Sequence, residues 1–234
     1  MKLLGLIGGM SWENTIEYYK IINKMVKERL GGWNSAKLLL YSVNFEDILR
    51  LEEQEKWGKL TEIFIPIASK LEAAGCKALI LCSNTIHKIA DDIEKAISIP
   101  IIHVVDATAE NIKLRGINTI GLLGTKYTME GGFYEERLRQ KHGLNVLIPI
   151  KAQREYINNA IYQELASGKL LDSTKEEFLK IINQLKREGA EGIILGCTEI
   201  PILIKEDDVE LWLFNTLTIH MQSAVEFLLD NRKI

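Results

Sequence analysis

Two short segments of the chain place proton-carrying side chains at the same point of a repeated pattern. Residues 78–87 read ALILCSNTIH and residues 192–199 read GIILGCTE, so an offset of 114 (197 − 83) pairs Ser83 with Cys197. In each segment an apolar run typical of a buried strand ends where these residues begin. A thiol can ionise near neutral pH and a hydroxyl carries a transferable proton, so both side chains suit acid-base chemistry.

Small polar residues follow each of these two positions: Asn84, Thr85, Thr198 and Glu199. Backbone N–H groups at a helix N-terminus bind carboxylates and can lower the pKa of a cysteine from about 8.5. We therefore expect these N–H groups and the two threonine hydroxyls to hold the α-carboxylate of a substrate. A thiol that faces a second proton carrier across such a site predicts proton removal from one face of a stereocentre and delivery to the other, which is racemisation.

The repeat extends beyond these two turns. Gly5 and Gly8 near the start match Gly121 and Gly124 at an offset of 116 (121 − 5). The helix before each segment also repeats, at the offset of 114, in the residues Phe64, Ile67, Leu71 and Phe178, Ile181, Leu185. Two ordered matches at nearly one offset indicate that the chain contains two similar halves.

The elements that must position these side chains follow from the hydrophobic pattern. Short apolar runs alternate with helical periodicity, which predicts an α/β fold with parallel sheets. We expect two similar lobes related by pseudo-twofold symmetry, at residues 1–100 and 105–210, and a helix at 216–230 that packs back on the first lobe. Ligands of open parallel sheets bind at the carboxyl ends of the strands. The active site is therefore expected in the cleft between the lobes.

Composition narrows the class of partner. The chain has 29 basic and 32 acidic residues and a net charge of −3, which gives no electrostatic case for nucleic acid or an anionic membrane. No apolar run approaches the ~18 residues of a membrane span, so we expect a cytoplasmic protein that binds a small molecule. Three cysteines and four isolated histidines show no metal-ligand spacing, and GLIGGM lacks the dinucleotide fingerprint. We predict neither a metal nor a cofactor.

Five segments together resemble a known family. The segments GLIGGMSWENT, LCSNTIH, LLGTKYTM, LGCTEI and FNTLTIH are similar to those of the aspartate/glutamate racemases, which work without pyridoxal phosphate. The resemblance implies two Rossmann-like lobes that each supply one acid/base residue, here Ser83 and Cys197, to an amino-acid substrate. It also implies that the turn carrying Met10 lines the substrate site, and it is compatible with a homodimer.

The chain departs from the usual family pattern at the first acid/base position. Most members carry cysteine there, whereas this chain carries Ser83 and has its cysteine, Cys82, one place earlier. Successive strand residues point to opposite faces, so Cys82 should face the packing layer. The chain resembles most closely the branch with a hydroxyl residue at this position. Cys197 is the better base, and we expect unequal rates for the L and D enantiomers.

Recognition of the substrate side chain is less defined by the sequence. Aspartate-specific relatives use an arginine and a lysine where this chain has Ile48 and Ala166, so Glu52 or the neighbouring Arg50 is expected to contribute instead. Two alternatives stay open. A decarboxylase of the same superfamily needs only the cysteine matched by Cys197, and a two-lobed amino-acid-binding protein needs no catalytic residue.

Overall fold

The structure is a computed structural model that describes residues 1–230 of the 234-residue chain. The chain divides into two compact units, which are described separately below. Unit 1 contains residues Met1–His103 together with the segment that begins at His220, and unit 2 contains residues Val104–Ile219. None of the helices in the described part of the chain combines the length and apolar character that crossing a bilayer requires.

The described residues form strands and helices in alternation. The strands are β1 Leu4–Gly8, β2 Leu38–Ser42, β3 Ala78–Leu81, β4 Thr119–Leu123, β5 Asn145–Leu147, β6 Gly192–Leu195 and β7 Trp212–Asn215. The α-helices are α1 Trp12–Leu30, α2 Phe45–Glu53, α3 Trp57–Ala73, α4 Ala90–Glu94, α5 Val104–Leu114, α6 Lys126–Glu130, α7 Phe133–His142, α8 Lys151–Gln163, α9 Asp172–Arg187, α10 Ile200–Leu203 and α11 Thr216–Leu229. Short 3₁₀ helices cover Thr85–Ile89, Leu165–Ser167 and Glu206–Asp208.

Unit 1 is built on a parallel sheet with the strand order β2-β1-β3. The central strand β1 is buried along its whole length, because helices pack on the sheet through apolar residues such as Phe64 and Ile67 of α3. Helix α11 begins in unit 2, and from His220 onward it belongs to unit 1. The backbone N–H of Lys2 donates to the carbonyl oxygen of Leu228 at 3.1 Å, so this part of α11 lies beside the start of β1.

Unit 2 repeats this arrangement with one additional strand. Its parallel sheet has the order β5-β4-β6-β7, and Phe178 and Ile181 of α9 pack against it as their counterparts in α3 do in unit 1. The prediction of an α/β fold with parallel sheets is confirmed. In each unit the central strand and its neighbour, β1 with β3 and β4 with β6, end side by side at the carboxyl edge.

Two matched glycines show that the internal repeat extends to packing detail. A Cβ at Gly5 would lie 2.5 Å from Leu79 and 3.3 Å from Leu71. A Cβ at Gly121 would lie 2.6 Å from Ile193 and 3.1 Å from Leu185, the residues that match Leu79 and Leu71 at the offset of 114. Each glycine therefore lets the helix before the adjacent strand pack directly on the central strand.

The apolar run PIIHVV, at residues 100–105, predicts a further strand, but this strand is largely absent. Only Ile101 pairs with β3, through an isolated parallel bridge to Leu79, and helix α5 already begins at Val104. The buried residues of α5, at 104, 105, 107, 108, 109 and 112, recur at spacings of three and four, which are typical of a helix rather than a strand and account for the difference. In unit 2 the corresponding place beside β6 is occupied by the complete strand β7, which the sequence analysis did not identify.

Candidate active site

In unit 1 the predicted acid/base residue Ser83 follows β3 at the carboxyl edge of the sheet. Cys82 is completely buried, and burial raises the pKa of its thiol, so this side chain faces the core as strand alternation predicts. Ser83 and Asn84 are partly exposed, while Thr85 is buried as the first residue of the 3₁₀ helix. The structure therefore brings Ser83, Asn84 and Thr85 together in one turn.

Two side chains fix the backbone of this turn. Asn14, from the first turn of α1, donates from Nδ2 to the carbonyl oxygen of Cys82 at 2.9 Å. His87 lies 2.8 Å from the carbonyl oxygen of Ser83 through Nδ1, and because a carbonyl can only accept, this nitrogen carries the proton. Both contacts hold the main chain and leave the Ser83 hydroxyl unengaged. Asn14 was not identified from sequence, although it lies within the segment GGMSWENT.

A cluster of buried histidines lies behind the turn. The ring of His87 packs 4.6 Å from His103 and 5.4 Å from His220, measured between centroids. His220 donates from Nε2 to the carbonyl oxygen of Ile102 at 2.6 Å, so its Nδ1 accepts from the Tyr18 hydroxyl at 2.8 Å. Burial lowers the pKa of His220 to about 4, which keeps the ring neutral.

Met10, predicted to line the substrate site, lies in the apolar core of unit 1. The turn before it is tightly packed: Gly9 has φ +95°, its N–H donates to Thr15 Oγ1 at 2.8 Å, and a Cβ there would collide with the backbone of Val43. A glycine is required at this position because few L-residues adopt such a backbone conformation. The Met10 side chain is therefore a core residue of unit 1 rather than an open lining of this turn.

Glu52 is a buried carboxyl group near the end of α2. Only 4% of the residue is exposed, and no hydrogen bond or ion pair joins its side chain to any of residues 1–230. Burial raises the pKa of Glu52 to about 7. An isolated buried carboxyl group is uncommon, because it must be neutral or find a partner, and it therefore marks a place where a ligand could supply that partner.

In unit 2 the thiol of Cys197 follows β6 and meets a carboxylate. Its Sγ donates to Glu199 Oε2 at 2.8 Å, and the hydroxyl of Thr198 donates to the same oxygen at 2.8 Å. The turn is fixed by the N–H of Gly196, which donates to the carbonyl oxygen of Leu123 at 2.7 Å. Thr198 and Glu199, both predicted as substrate contacts, are thus hydrogen-bonded to one another, and Glu199 also contacts the Cys197 thiol.

The environment of Cys197 raises the pKa of its thiol, whereas the sequence analysis expects a lowered pKa. Burial, the charge of Glu199 and the hydrogen bond to Glu199 raise the pKa of the thiol well above its usual range. The backbone N–H groups of Thr198 and Glu199 lower the pKa, as predicted, but they are outweighed. Helix α10 has only four residues, so its dipole does little to lower the pKa of this thiol. The resting thiol is therefore protonated.

A second turn of unit 2 lies beside this site. Thr125 follows β4, is buried, and caps α6 by accepting the N–H of Thr128 at 3.4 Å. It occupies the place of Gly9 in the repeat, yet no site residue was predicted there. The match of LLGTKYTM to GLIGGMSW was the signal that could have identified it. Among residues 1–230, no group of three histidine, cysteine, aspartate or glutamate side chains is arranged to hold a metal ion.

Comparison with known proteins identifies relatives over most of the chain. The model of the Asp/Glu/hydantoin racemase family matches residues 7–224. A proposed Asp/Glu racemase from Yersinia pestis has a crystal structure with a TM-score of 0.95 and 46% identity, over 98% of this chain and 100% of that one. An aspartate racemase homologue from Pyrococcus horikoshii superimposes with a TM-score of 0.87 and 36% identity, over 98% and 100% of the two chains.

A curated relative is more distant. The glutamate racemase of Corynebacterium glutamicum is 21% identical over 183 residues, which are 74% of this chain and 65% of that protein. This chain therefore spans just under two thirds of the length of that relative.

Proposed function

The chain belongs to the Asp/Glu/hydantoin racemase family, and we propose that it racemises an amino acid by moving a proton at the α-carbon without a cofactor. The observation that carries the proposal is the hydrogen bond from the Cys197 thiol to the Glu199 carboxylate. A thiol with a raised pKa is a weak base by itself. A thiol whose proton acceptor is already in contact can form a thiolate when substrate binds.

The two side chains share one proton and one negative charge. In the resting arrangement the proton is on Cys197 Sγ and the charge is on Glu199. Transfer of this proton to Glu199 gives a thiolate and a neutral carboxylic acid, so the net charge of the site is unchanged. The ammonium group of a bound amino acid would favour negative charge on the nearby sulfur. The thiolate then removes the proton from the α-carbon and becomes a thiol again.

Inversion requires a second proton donor on the opposite face of the resulting carbanion, and we assign this role to Ser83. Its hydroxyl makes no hydrogen bond to the described residues, and the adjacent His87 binds its carbonyl oxygen rather than its hydroxyl. Ser83 delivers a proton to the carbanion and recovers one from water, while Glu199 releases to water the proton that it took from Cys197. Ser83 has no base to activate it in the opposite direction. The enantiomer that needs Ser83 as base should therefore react more slowly.

Substrate binding is assigned to the turns around these two residues. We propose that the α-carboxylate is held by backbone N–H groups and by Asn84 and Thr85, and that Thr198 contributes after its hydroxyl rotates away from Glu199. Aspartate and glutamate, the amino acids named for the relatives, are the first substrates to test. Ile48 and Ala166 supply no cation, so we do not expect strict aspartate specificity.

The test is exchange of the α-proton in deuterium oxide, followed by proton NMR over a panel of L- and D-amino acids. We expect exchange with at least one pair of enantiomers and its loss in Cys197→Ala. Cys82→Ala is the matched control, because it removes a thiol that is buried away from the site. Circular dichroism verifies that both variants fold.

Other outcomes would contradict the proposal. Full exchange in Cys197→Ala would remove the thiol from the mechanism. Carbon dioxide release from a substituted malonate, without exchange of amino acids, would identify a decarboxylase. Amino-acid binding without exchange, with a Cys197 that resists alkylation, would identify a binding protein.

A further inference from the structure

We propose that Glu52 selects amino acids whose side chain ends in an amine or another hydrogen-bond donor and disfavours those with an acidic side chain. The inference deepens the proposed function, on which it rests in taking the bound molecule to be an amino acid. It concerns unit 1 alone. Three features of Glu52 carry it: its place at the carboxyl edge of the sheet, the access of solvent to its carboxyl group, and the charges around it.

Helix α2, which carries Glu52, lies at the carboxyl edge of the unit 1 sheet because of the elements that it joins. It follows the end of β2, where the N–H of Val43 donates to the carbonyl oxygen of Gly8 at 2.9 Å. Helix α3 comes next and leads to the start of β3, so it runs from the carboxyl edge towards the amino edge of the sheet. Both ends of α2 therefore stay near the edge at which Ser83 follows β3.

A contact between two side chains connects the end of α2 to the Ser83 turn. Trp57 begins α3 shortly after Glu52, and the Nζ of Lys88 lies 4.3 Å from the centre of the Trp57 ring. Lys88 belongs to the 3₁₀ helix Thr85–Ile89, which begins just after Ser83. The junction of α2 and α3 therefore lies against the segment that carries the proposed acid/base residue of unit 1.

Glu52 lies on the inward face of α2. It follows Ile48 by one helical turn, so the two side chains share a face, and Glu52 and Ile48 are exposed by only 4% and 2%. Glu52 is not among the side chains of residues 1–230 whose polar atoms are both fully enclosed and unpaired. Since no hydrogen bond or ion pair within these residues engages its carboxyl group either, the carboxyl oxygens open onto a space that solvent can enter.

The charges around Glu52 favour a cation beside it. Two basic side chains of this region are engaged elsewhere, because Arg50 contacts Glu46 at 3.4 Å and Lys88 lies over the ring of Trp57. Glu52 also stands in the last turn of α2, where the negative end of the helix dipole favours positive charge. An amine that entered this space would therefore meet both a buried carboxylate and a helix C-terminus.

The carboxyl group of Glu52 distinguishes three kinds of amino-acid side chain. An amine or an amide N–H donates to the carboxylate and supplies the partner that a buried carboxylate requires. An alkyl side chain supplies none. An acidic side chain brings a second carboxylate to the first, so one of the two must take up a proton, which costs free energy at pH 8. Lysine should therefore bind more tightly than norleucine, and glutamine more tightly than glutamate.

The experiment measures binding of these four amino acids to the full chain by isothermal titration calorimetry at pH 8. It uses Cys197→Ala, in which the proposed base is removed and the bound amino acid stays unchanged. Lysine should bind more tightly than norleucine, and glutamine more tightly than glutamate, by about tenfold or more. Addition of Glu52→Gln should reduce both ratios to about threefold or less. Glu53→Gln is the matched control, because it neutralises the exposed carboxylate at the next position of α2 and should change neither ratio. Urea unfolding verifies that all variants are folded.

The possible results separate this inference from the proposed function. Equal affinities within each pair, ratios that Glu52→Gln leaves unchanged, or binding of none of the four amino acids would overturn selection by Glu52, even if the wild-type chain exchanges α-protons. An equal loss of affinity for all four in Glu52→Gln would assign the carboxylate to the α-ammonium group and would also overturn it. Preferences that depend on Glu52, without α-proton exchange in the wild-type chain, would support the inference and contradict the proposed racemisation.

Discussion

Replacement of Glu199 by glutamine separates the two effects that this carboxylate has on Cys197. The carboxylate opposes ionisation of the thiol, and in the proposed mechanism it also accepts the thiol proton. Glutamine removes the negative charge and keeps the size of the side chain. Ionisation of Cys197 should become easier, while proton removal from a substrate should become slower. Two rates that depend on the same sulfur are therefore expected to change in opposite directions.

The magnitude follows from the 2.8 Å separation of Cys197 Sγ and Glu199 Oε2. Two unit charges at this distance repel by ~6 kcal/mol at an effective dielectric of about 20. Both side chains are partly exposed, so we halve this value to about 3 kcal/mol for solvent screening, and removal of the charge lowers the thiol pKa toward its ordinary range. The thiolate fraction at pH 8 then rises by ~100-fold, and the lower nucleophilicity of a less basic thiolate reduces the gain in alkylation rate to about tenfold.

The assay is alkylation by iodoacetamide at pH 8, with the modified peptide identified by mass spectrometry, alongside α-proton exchange. Glu199→Gln should react with iodoacetamide about tenfold faster and exchange substrate protons at least tenfold more slowly. Glu176→Gln, an exposed position in the same unit, controls for the change in net charge and should alter neither rate. If the rates of alkylation and of α-proton exchange both rose in Glu199→Gln, the only effect of Glu199 would be to oppose ionisation of the Cys197 thiol. Its assignment as proton acceptor would then be wrong.

Three further predictions concern Ser83, Glu52 and His220. Ser83→Cys should raise α-proton exchange of the slower enantiomer by about tenfold, or 1.4 kcal/mol of barrier, and narrow the difference between the two enantiomers, which proton NMR in deuterium oxide measures; an unchanged ratio of the two exchange rates would contradict the role of Ser83. The folded state raises the pKa of Glu52 from 4.5 to about 7, so the stability of the wild-type chain falls as the pH rises through this window. In urea unfolding, Glu52→Gln should therefore be more stable than the wild type by up to about 3 kcal/mol at pH 8 and by almost nothing at pH 4.5. The folded state lowers the pKa of His220 from 6.5 to about 4, so the stability that the neutral ring contributes is present above pH 6.5 and is lost on acidification to pH 4. In His220→Asn the free energy of unfolding should fall less steeply between pH 6.5 and pH 4. An equally steep fall would refute the assignment of this pH dependence to His220.

The parts of the fold that depend on local periodicity could be predicted from the sequence. The parallel α/β architecture followed from apolar runs and helical periodicity, because strand period and helix period are encoded within a few residues of one another. The family followed from the resemblance of five segments to those of known racemases. The buried position of Cys82 followed from strand alternation for the same reason. These features do not require knowledge of which strand lies beside which.

Contacts that depend on strand order or side-chain torsions could not be predicted. Asn14 reaches the carbonyl of Cys82 across 68 positions of sequence only because β1 and β3 are neighbours. The hydrogen bond from Cys197 to Glu199 depends on the conformation of one turn. Burial of the thiol, together with the charge and the hydrogen bond of Glu199, reversed the expected direction of the pKa shift. The sequence showed Glu52 as one acidic residue among many, since burial without a partner is a property of the assembled unit.

The path of α11 has a consequence for the order in which the chain can fold during synthesis. Unit 2 is continuous in sequence, so it can complete its core without the segment from His220. Unit 1 cannot do so, because the partner of Tyr18 and the carbonyl that binds Lys2 are both supplied by that late segment. The turn that carries Ser83 rests against the same histidine cluster. Nascent chains that stop before residue 220 should therefore display a protease-resistant second unit and an unfinished first one.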